Sequence, residues 1–347
     1  MVWLANGERS RWNDFSANVR PHSFDPSALQ EGVSNLDVYP DPSYTALVAA
    51  AASMYGVERN QVFPANGSTE ALYLAMLTLK PGSVTIFEPT FSEYAKATQW
   101  ASPSAEIIRI VGEEQSDFRF RLSVPSTDVI ALCNPNNPTG GYIAGEELAA
   151  WIEACERHGV FVILDEAFIE FCHIQNASIT PELSRRSNLL ILRSMTKYFG
   201  IPGLRLGFAL GPTELIARIW ENRIPWSINC VAERLGVDLT NSPWDTEIPA
   251  MIARERAFLS DALRTLGWRI LPAAANFILC RLPHGSSNRR LLASLKEQGF
   301  LLRDARNFHG LDDSYVRCAV KERSQNEALL KAIEHWSFAE TAQVVRP

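Results

Sequence analysis

Ser194-Met195-Thr196-Lys197-Tyr198-Phe199-Gly200-Ile201-Pro202-Gly203-Leu204-Arg205-Leu206-Gly207 is the stretch on which the reading of this chain turns. It places one lysine among apolar side chains, and such surroundings lower a lysine's pKa enough to make the amine a nucleophile. A lone lysine is ordinarily a solvated surface residue. Lys197 therefore gains weight only from what the chain arranges around it.

Immediately outward lie two short apolar runs, Leu189 to Leu192 and Leu206 to Leu210. Similar runs recur at Val84 to Phe87, Val129 to Cys133 and Val160 to Leu164. Unbroken and often β-branched, they read as strands buried on both faces. Helical periodicity separates them, as in Glu146 to Arg157, and the alternation predicts an α/β fold with a mostly parallel sheet. Such sheets bind ligands at the carboxyl ends of their strands. Upstream, Ser43 to Tyr55 reads as a helix closed by Gly56. From about residue 240 the texture changes to an amphipathic helix near Ile248 to Leu266, a strand at Phe277 to Cys280, a strand-like Tyr315 to Val320 and a last helix near Glu327 to His335. The expected organisation is an N-terminal arm and part of a small domain over 1–42, a large domain over 43–240 and a small α+β domain over 241–347.

Three further segments fall at strand ends or helix starts. Asn66-Gly67-Ser68-Thr69-Glu70 opens the apolar helix Ala71 to Leu79 and offers N–H groups and hydroxyls at a positive helix end, suited to a phosphate or to ordinary capping. Asn134-Pro135-Asn136-Asn137-Pro138-Thr139-Gly140 follows a buried strand directly, with more turn formers than a reversal of direction needs. Asp165-Glu166 ends the run Val160 to Leu164, and a buried carboxylate there calls for a cationic partner. A structural ion pair or a helix cap answers the same demand.

The rest of the composition bounds the function. The 347 residues are 46% hydrophobic and 21% charged, enough for two packed lobes of an ordinary globular protein. A formal charge of −6 with scattered lysine and arginine argues against a nucleic-acid partner. No apolar run approaches the roughly 20 residues that span a bilayer, and Met1 to Asn18 lacks the pattern of a signal peptide. The expectation is a cytoplasmic protein with no membrane partner. Its six cysteines form no C-x-x-C pair and are expected to be reduced core residues; its six histidines show no metal-ligand spacing, so no metal is expected.

Taken in order, the strand-end segments resemble the signature of the fold-type I pyridoxal-5′-phosphate (PLP) enzymes of the class I/II aminotransferase group, over most of the chain. The resemblance implies that Lys197 carries the cofactor as a Schiff base, that Asp165 pairs with the pyridine nitrogen and that Asn137 donates to the 3′-oxygen. It assigns Gly67, Ser68, Thr69, Ser194 and Arg205 to the cofactor phosphate and Phe91 to stacking on the ring. Tyr39, in Tyr39-Pro40-Asp41-Pro42, matches a tyrosine that reaches the phosphate of the other subunit, which implies a homodimer with shared active sites.

Within the group the chain resembles histidinol-phosphate aminotransferases and, more closely, the threonine-phosphate decarboxylases of cobalamin synthesis. Asp14 to Asn18, Asp165 to Phe171, Lys197 to Arg205, Ile224 to Asn229 and Asn307 to Asp312 carry the closer likeness. Phe168 stands where many relatives have a tyrosine whose hydroxyl bonds the 3′-oxygen. Asn18, Arg303 and Arg317 match residues that handle the substrate, and a guanidinium fork suits phosphate or carboxylate. The implied activity is decarboxylation of a small O-phospho amino acid to an aminopropanol phosphate-like product. The alternatives are an aminotransferase and, remotely, a non-catalytic PLP-binding regulator. One segment departs from the pattern: where such decarboxylases carry His-Gly-Gly-Asn near the N-terminus, this chain has Leu4-Ala5-Asn6-Gly7-Glu8-Arg9-Ser10.

Overall fold

A computed structural model describes residues 12–21, 36–242 and 244–344. Its strands, in chain order, are β1 (Asn13–Asp14), β2 (Val62–Ala65), β3 (Ser83–Glu88), β4 (Glu106–Val111), β5 (Val129–Cys133), β6 (Phe161–Asp165) and β7 (Leu189–Ser194). They continue as β8 (Gly207–Leu210), β9 (Arg269–Ile270), β10 (Phe277–Arg281), β11 (Phe300–Leu301), β12 (Arg303–Asp304) and β13 (Tyr315–Ala319). Seven of them form one sheet in the order β2-β8-β7-β6-β5-β3-β4. The α/β fold with a mostly parallel sheet is the one expected, but β8 runs antiparallel to both its neighbours.

The central strands are continuous apolar runs because helices cover both faces of the sheet. Ile130, Leu132, Val162, Leu164 and Ile191 enter the core on one face, while Val129, Ala131, Ile163, Leu190 and Leu192 enter the core on the other. The two edge strands, β2 and β4, lie beyond the sequence expectation for a physical reason. Pro64 interrupts β2, which an edge strand tolerates, and Glu106 and Arg109 break the apolar run of the half-exposed β4.

The order of strands sets the location of a site. From β3 the chain moves outward to β4, whereas from β5 it moves the opposite way through β6 and β7. The crevice at the carboxyl ends of β3 and β5 is therefore the switch point where such sheets receive ligands.

After residue 244 the chain builds an antiparallel sheet in the order β12-β13-β10-β9. The helices Glu247–Thr265, Asn288–Glu297 and Arg323–Val344 accompany it, and Leu263, Trp268, Ile278, Val316, Cys318 and Ile333 share its core. The last helix is longer than the Glu327 to His335 expected, and the first helix starts at Thr45 rather than Ser43. The segment from Asn13 ties the four-stranded sheet to the helical turn after β7: β1 pairs with β11 as a separate two-stranded sheet, the Ala319 N–H donates to the Phe15 carbonyl at 2.9 Å, and the Arg20 N–H donates to the Lys197 carbonyl at 2.9 Å. All six cysteines are unbridged, and only Cys230 is other than buried. Among the described residues no helix is long and apolar enough to cross a membrane.

Candidate active site

Strand β7 ends at Ser194, and the one-turn helix Met195–Tyr198 that follows carries Lys197 at the sheet's carboxyl edge. The lysine is partly buried and its amine donates to the Thr196 hydroxyl at 3.2 Å, which in turn lies 3.0 Å from the Ser194 hydroxyl. Burial pushes the Lys197 pKa down to about 8; the charges of Arg205 and Arg317 act in the same direction and Asp165 opposes them. Desolvation penalises the ammonium form, so the amine is closer to its nucleophilic state than a surface lysine. All four ionisable groups gather at one place.

Asp165 is the last residue of β6 and is buried. Its Oδ2 accepts from the Tyr94 hydroxyl at 2.7 Å and its Oδ1 from the Ala167 N–H at 2.9 Å. Burial raises the Asp165 pKa, and these two bonds and the Lys197 charge pull it back. Two neutral donors of the chain thus hold the carboxylate. Tyr94 gave no sequence signal, because three residues after Phe91 it reads as the periodic core position of a helix. The Phe91 ring meets the Tyr94 ring edge-on at 5.7 Å.

Arg205, whose charge acts on Lys197, lies beside the start of a helix. Gly67, with φ +80°, precedes the helix Ser68–Leu79, whose first residues are Ser68 and Thr69. A Cβ at Gly67 would stand 2.6 Å from the Arg205 Nη2, so only glycine lets this guanidinium lie over the helix start. Arg205 adopts a left-handed φ of 60° to reach it. Glu70 also folds back onto the Asn66 N–H, the ordinary capping contact that the sequence equally allowed.

Asn137, in the turn after β5, is buried, and its Oδ1 accepts from the Arg317 guanidinium, leaving the amide N–H groups as donors. Arg317 also donates to the Ser16 carbonyl at 2.8 Å and lies over the Phe277 ring at 5.2 Å. Phe277 in turn meets Phe168 edge-on at 5.0 Å. Arg303 stands directly across from Arg317 in the β12–β13 pair and donates to Asn307. Burial and the adjacent Arg303 charge both hold the Arg317 pKa below the usual guanidinium range. Asn18 lies between Ser16 and Arg20; it is buried, and its Oδ1 has no partner among the described residues, like the Nε of Arg317.

Tyr39 stands outside this cluster, 81% exposed and tilted against the Trp226 ring at 4.9 Å. Leu4 to Ser10 lies outside the described residues. Sequence reading also missed Arg193, which bonds Glu166 at 2.7 Å and Glu170 at 2.8 Å with its guanidinium over Tyr55. All three ions are buried, so removing one partner would cost about 3–5 kcal/mol. This network fastens the end of β6, which bears Asp165, to the end of β7, which leads to Lys197.

The gathered residues fit PLP on three observations of this structure. The helix start at Gly67 with Arg205 beside it would suit an anion, the amine of Lys197, its pKa lowered by burial, would suit an aldehyde, and the buried Asp165 would suit a protonated ring nitrogen.

A model of the family "Aminotransferase class I and II" matches residues 27–333 of the chain. The chain is 34% identical to threonine-phosphate decarboxylase of Salmonella typhimurium over 335 residues, 93% of this chain and 90% of that protein. It is 30% identical to histidinol-phosphate aminotransferase of Caldanaerobacter subterraneus over 305 residues, 86% and 84% of the two chains. Among solved structures it matches the histidinol-phosphate aminotransferase of Clostridium acetobutylicum, with a TM-score of 0.87 and 29% identity over 94% of this chain and 99% of that one. It also matches the L-threonine-O-3-phosphate decarboxylase of Porphyromonas gingivalis, with a TM-score of 0.82 and 27% identity over 93% and 98%.

Proposed function

The chain belongs to the class I and II aminotransferase family of PLP-dependent enzymes, and from that premise we propose that it removes the α-carboxylate of a small O-phospho amino acid, with Lys197 as the covalent carrier of the cofactor. The observation that carries the substrate class is the pairing of Arg303 with Arg317 across β12 and β13. Two adjacent guanidiniums repel each other unless an anion lies between or beside them, and a substrate bearing both carboxylate and phosphate supplies that charge. A decarboxylase among the relatives, at 34% identity, supports the choice of reaction.

PLP supplies an electron sink for the carbanion formed at the substrate Cα. The protein's own groups do the rest. Asp165 would hold the proton on the ring nitrogen, and Gly67, Ser68, Thr69, Ser194 and Arg205 would hold the phosphate. Phe91 would cover one face of the ring, and Asn137, its oxygen occupied by Arg317, would direct its amide N–H at the 3′-oxygen. Phe168 has no hydroxyl to offer that oxygen. Arg317, Arg303 and Asn18 would orient the substrate so that the bond to its carboxylate stands perpendicular to the ring, and this orientation selects the bond that breaks. Lys197 would return a proton to the substrate Cα. A second reading, transamination, rests on the 30% identity to histidinol-phosphate aminotransferase; Lys197 would then move the proton away from Cα.

Incubation of the PLP-loaded protein with O-phospho-threonine alone separates the two. Release of carbon dioxide with an unchanged cofactor spectrum is expected; accumulation of the aminated cofactor without carbon dioxide would replace the lyase by the transferase. Borohydride reduction must label the peptide that contains Lys197, or the covalent assignment fails.

A homodimer completes the reading. Leu36, Val38, Tyr39, Ile224 and Trp226 are exposed apolar side chains, and the contact between Tyr39 and Trp226 joins their two segments into one face. Tyr39 would reach the cofactor phosphate of the partner subunit from there. The cytoplasm is the compartment proposed for this small-molecule chemistry.

A further inference from the structure

We propose that Tyr94 is a positioning residue for the cofactor ring, acting through Asp165 and Phe91. This rests on the reading above, in which Asp165 faces the ring nitrogen and Phe91 the ring face.

Tyr94 is fully buried in the first turn of the helix Glu93–Ala101, just after the end of β3. Its hydroxyl donates to Asp165 Oδ2 at 2.7 Å, and its ring meets Phe91 edge-on at 5.7 Å with an interplanar angle of 84°. One side chain thus touches both residues assigned to the ring, and it does so across the switch point, joining the end of β3 to the end of β6. With Ala167 N–H on the other oxygen at 2.9 Å, the Asp165 carboxylate is held at both ends and cannot rotate without breaking a bond. Burial favours the neutral acid, and a neutral acid would no longer hold the ring nitrogen's proton. The phenol is the larger of the two hydrogen-bond contributions that oppose this. It remains a donor across the working range because burial also raises its own pKa.

The test is a double-mutant cycle on the PLP affinity of the apoprotein, read by absorbance and by quenching of intrinsic fluorescence, with thermal melts on each variant. Tyr94→Phe keeps the ring against Phe91 and removes only the donor. It is expected to weaken PLP binding about tenfold, the size of one hydrogen bond to a charged group, and to move the acid limb of PLP retention to higher pH. In an Asp165→Asn background the same change is expected to have no effect. An equal loss in both backgrounds, or no loss in either, overturns the role of Tyr94. If Asp165→Asn itself leaves PLP affinity unchanged, the pairing of Asp165 with the ring nitrogen is what fails, and the role of Tyr94 falls with it. Should Tyr94→Phe not fold, 3-fluorotyrosine at position 94 keeps the shape and strengthens the donor, and must tighten PLP binding; a weaker complex overturns the proposal.

Discussion

At the scale of single residues, two side chains carry the proposed protonation chemistry. Because burial pushes the Lys197 pKa down to about 8, the rate of PLP capture by the apoprotein should rise with pH up to about 8 and then level off. The free amine is the nucleophile, and its fraction saturates above its pKa. Stopped-flow absorbance checks this; a rate that keeps climbing to pH 10 would mean a solvated lysine. Phe168 packs edge-on against Phe277 without a hydroxyl. Phe168→Tyr should add a donor to the ionised 3′-oxygen and lower the apparent pKa of the lysine-bound cofactor by about one unit, a hydrogen bond's worth of preference. An unchanged absorbance titration removes position 168 from this role. Lys197, Asp165 and Asn137 drew notice in the sequence because they sit at or just past strand ends or within a recognisable turn, whereas Arg303 and Arg317, the latter in the middle of β13, drew it only through the family resemblance. Tyr94 and Arg193 drew none, since each looks like an ordinary helix or strand residue and its meaning lies in a partner distant along the chain.

Among elements, the approach of the helix Ser68–Leu79 to β8 is the tightest constraint. A Cβ on Gly207 would stand 2.4 Å from the Ser68 nitrogen and 2.7 Å from the Arg193 carbonyl oxygen, both backbone atoms. Gly207→Ala should therefore cost about 1–3 kcal/mol of stability, as overpacking does, and also weaken PLP binding by pushing the helix start away from Arg205. Denaturant unfolding and PLP titration measure the two effects; a variant as stable as the parent would mean that helix and strand yield easily. The central strands could be read from their apolar runs, whereas the edges could not. At an edge one side meets water, the run is broken by Pro64 or Arg109, and only pairing to a neighbour shows that a strand is there. The direction of β8 is equally hidden, because a buried strand has the same composition whichever way it runs.

For the whole molecule, the exposed face formed around Tyr39 and Trp226 sets the expected assembly. Trp226→Asp should convert a dimer to a monomer in analytical ultracentrifugation and lower PLP affinity, because the partner's Tyr39 is withdrawn with it. A dimer that survives the change would move the interface elsewhere. A change of texture was visible near residue 240, and the antiparallel sheet follows it from β9 onward, but the path of Asn13 to Arg20 was not legible, since short irregular segments carry no periodicity. That path matters in a practical way. The stretch from Asn13 to Arg20 is bonded to β11, to β13, to the side chain of Arg317 and to the carbonyl of Lys197. A protease that nicks the chain there, or a fusion partner spliced between Ser16 and Arg20, would leave both sheets intact yet slacken the lysine's backbone, so loss of the yellow chromophore would report such damage before any loss of folded protein.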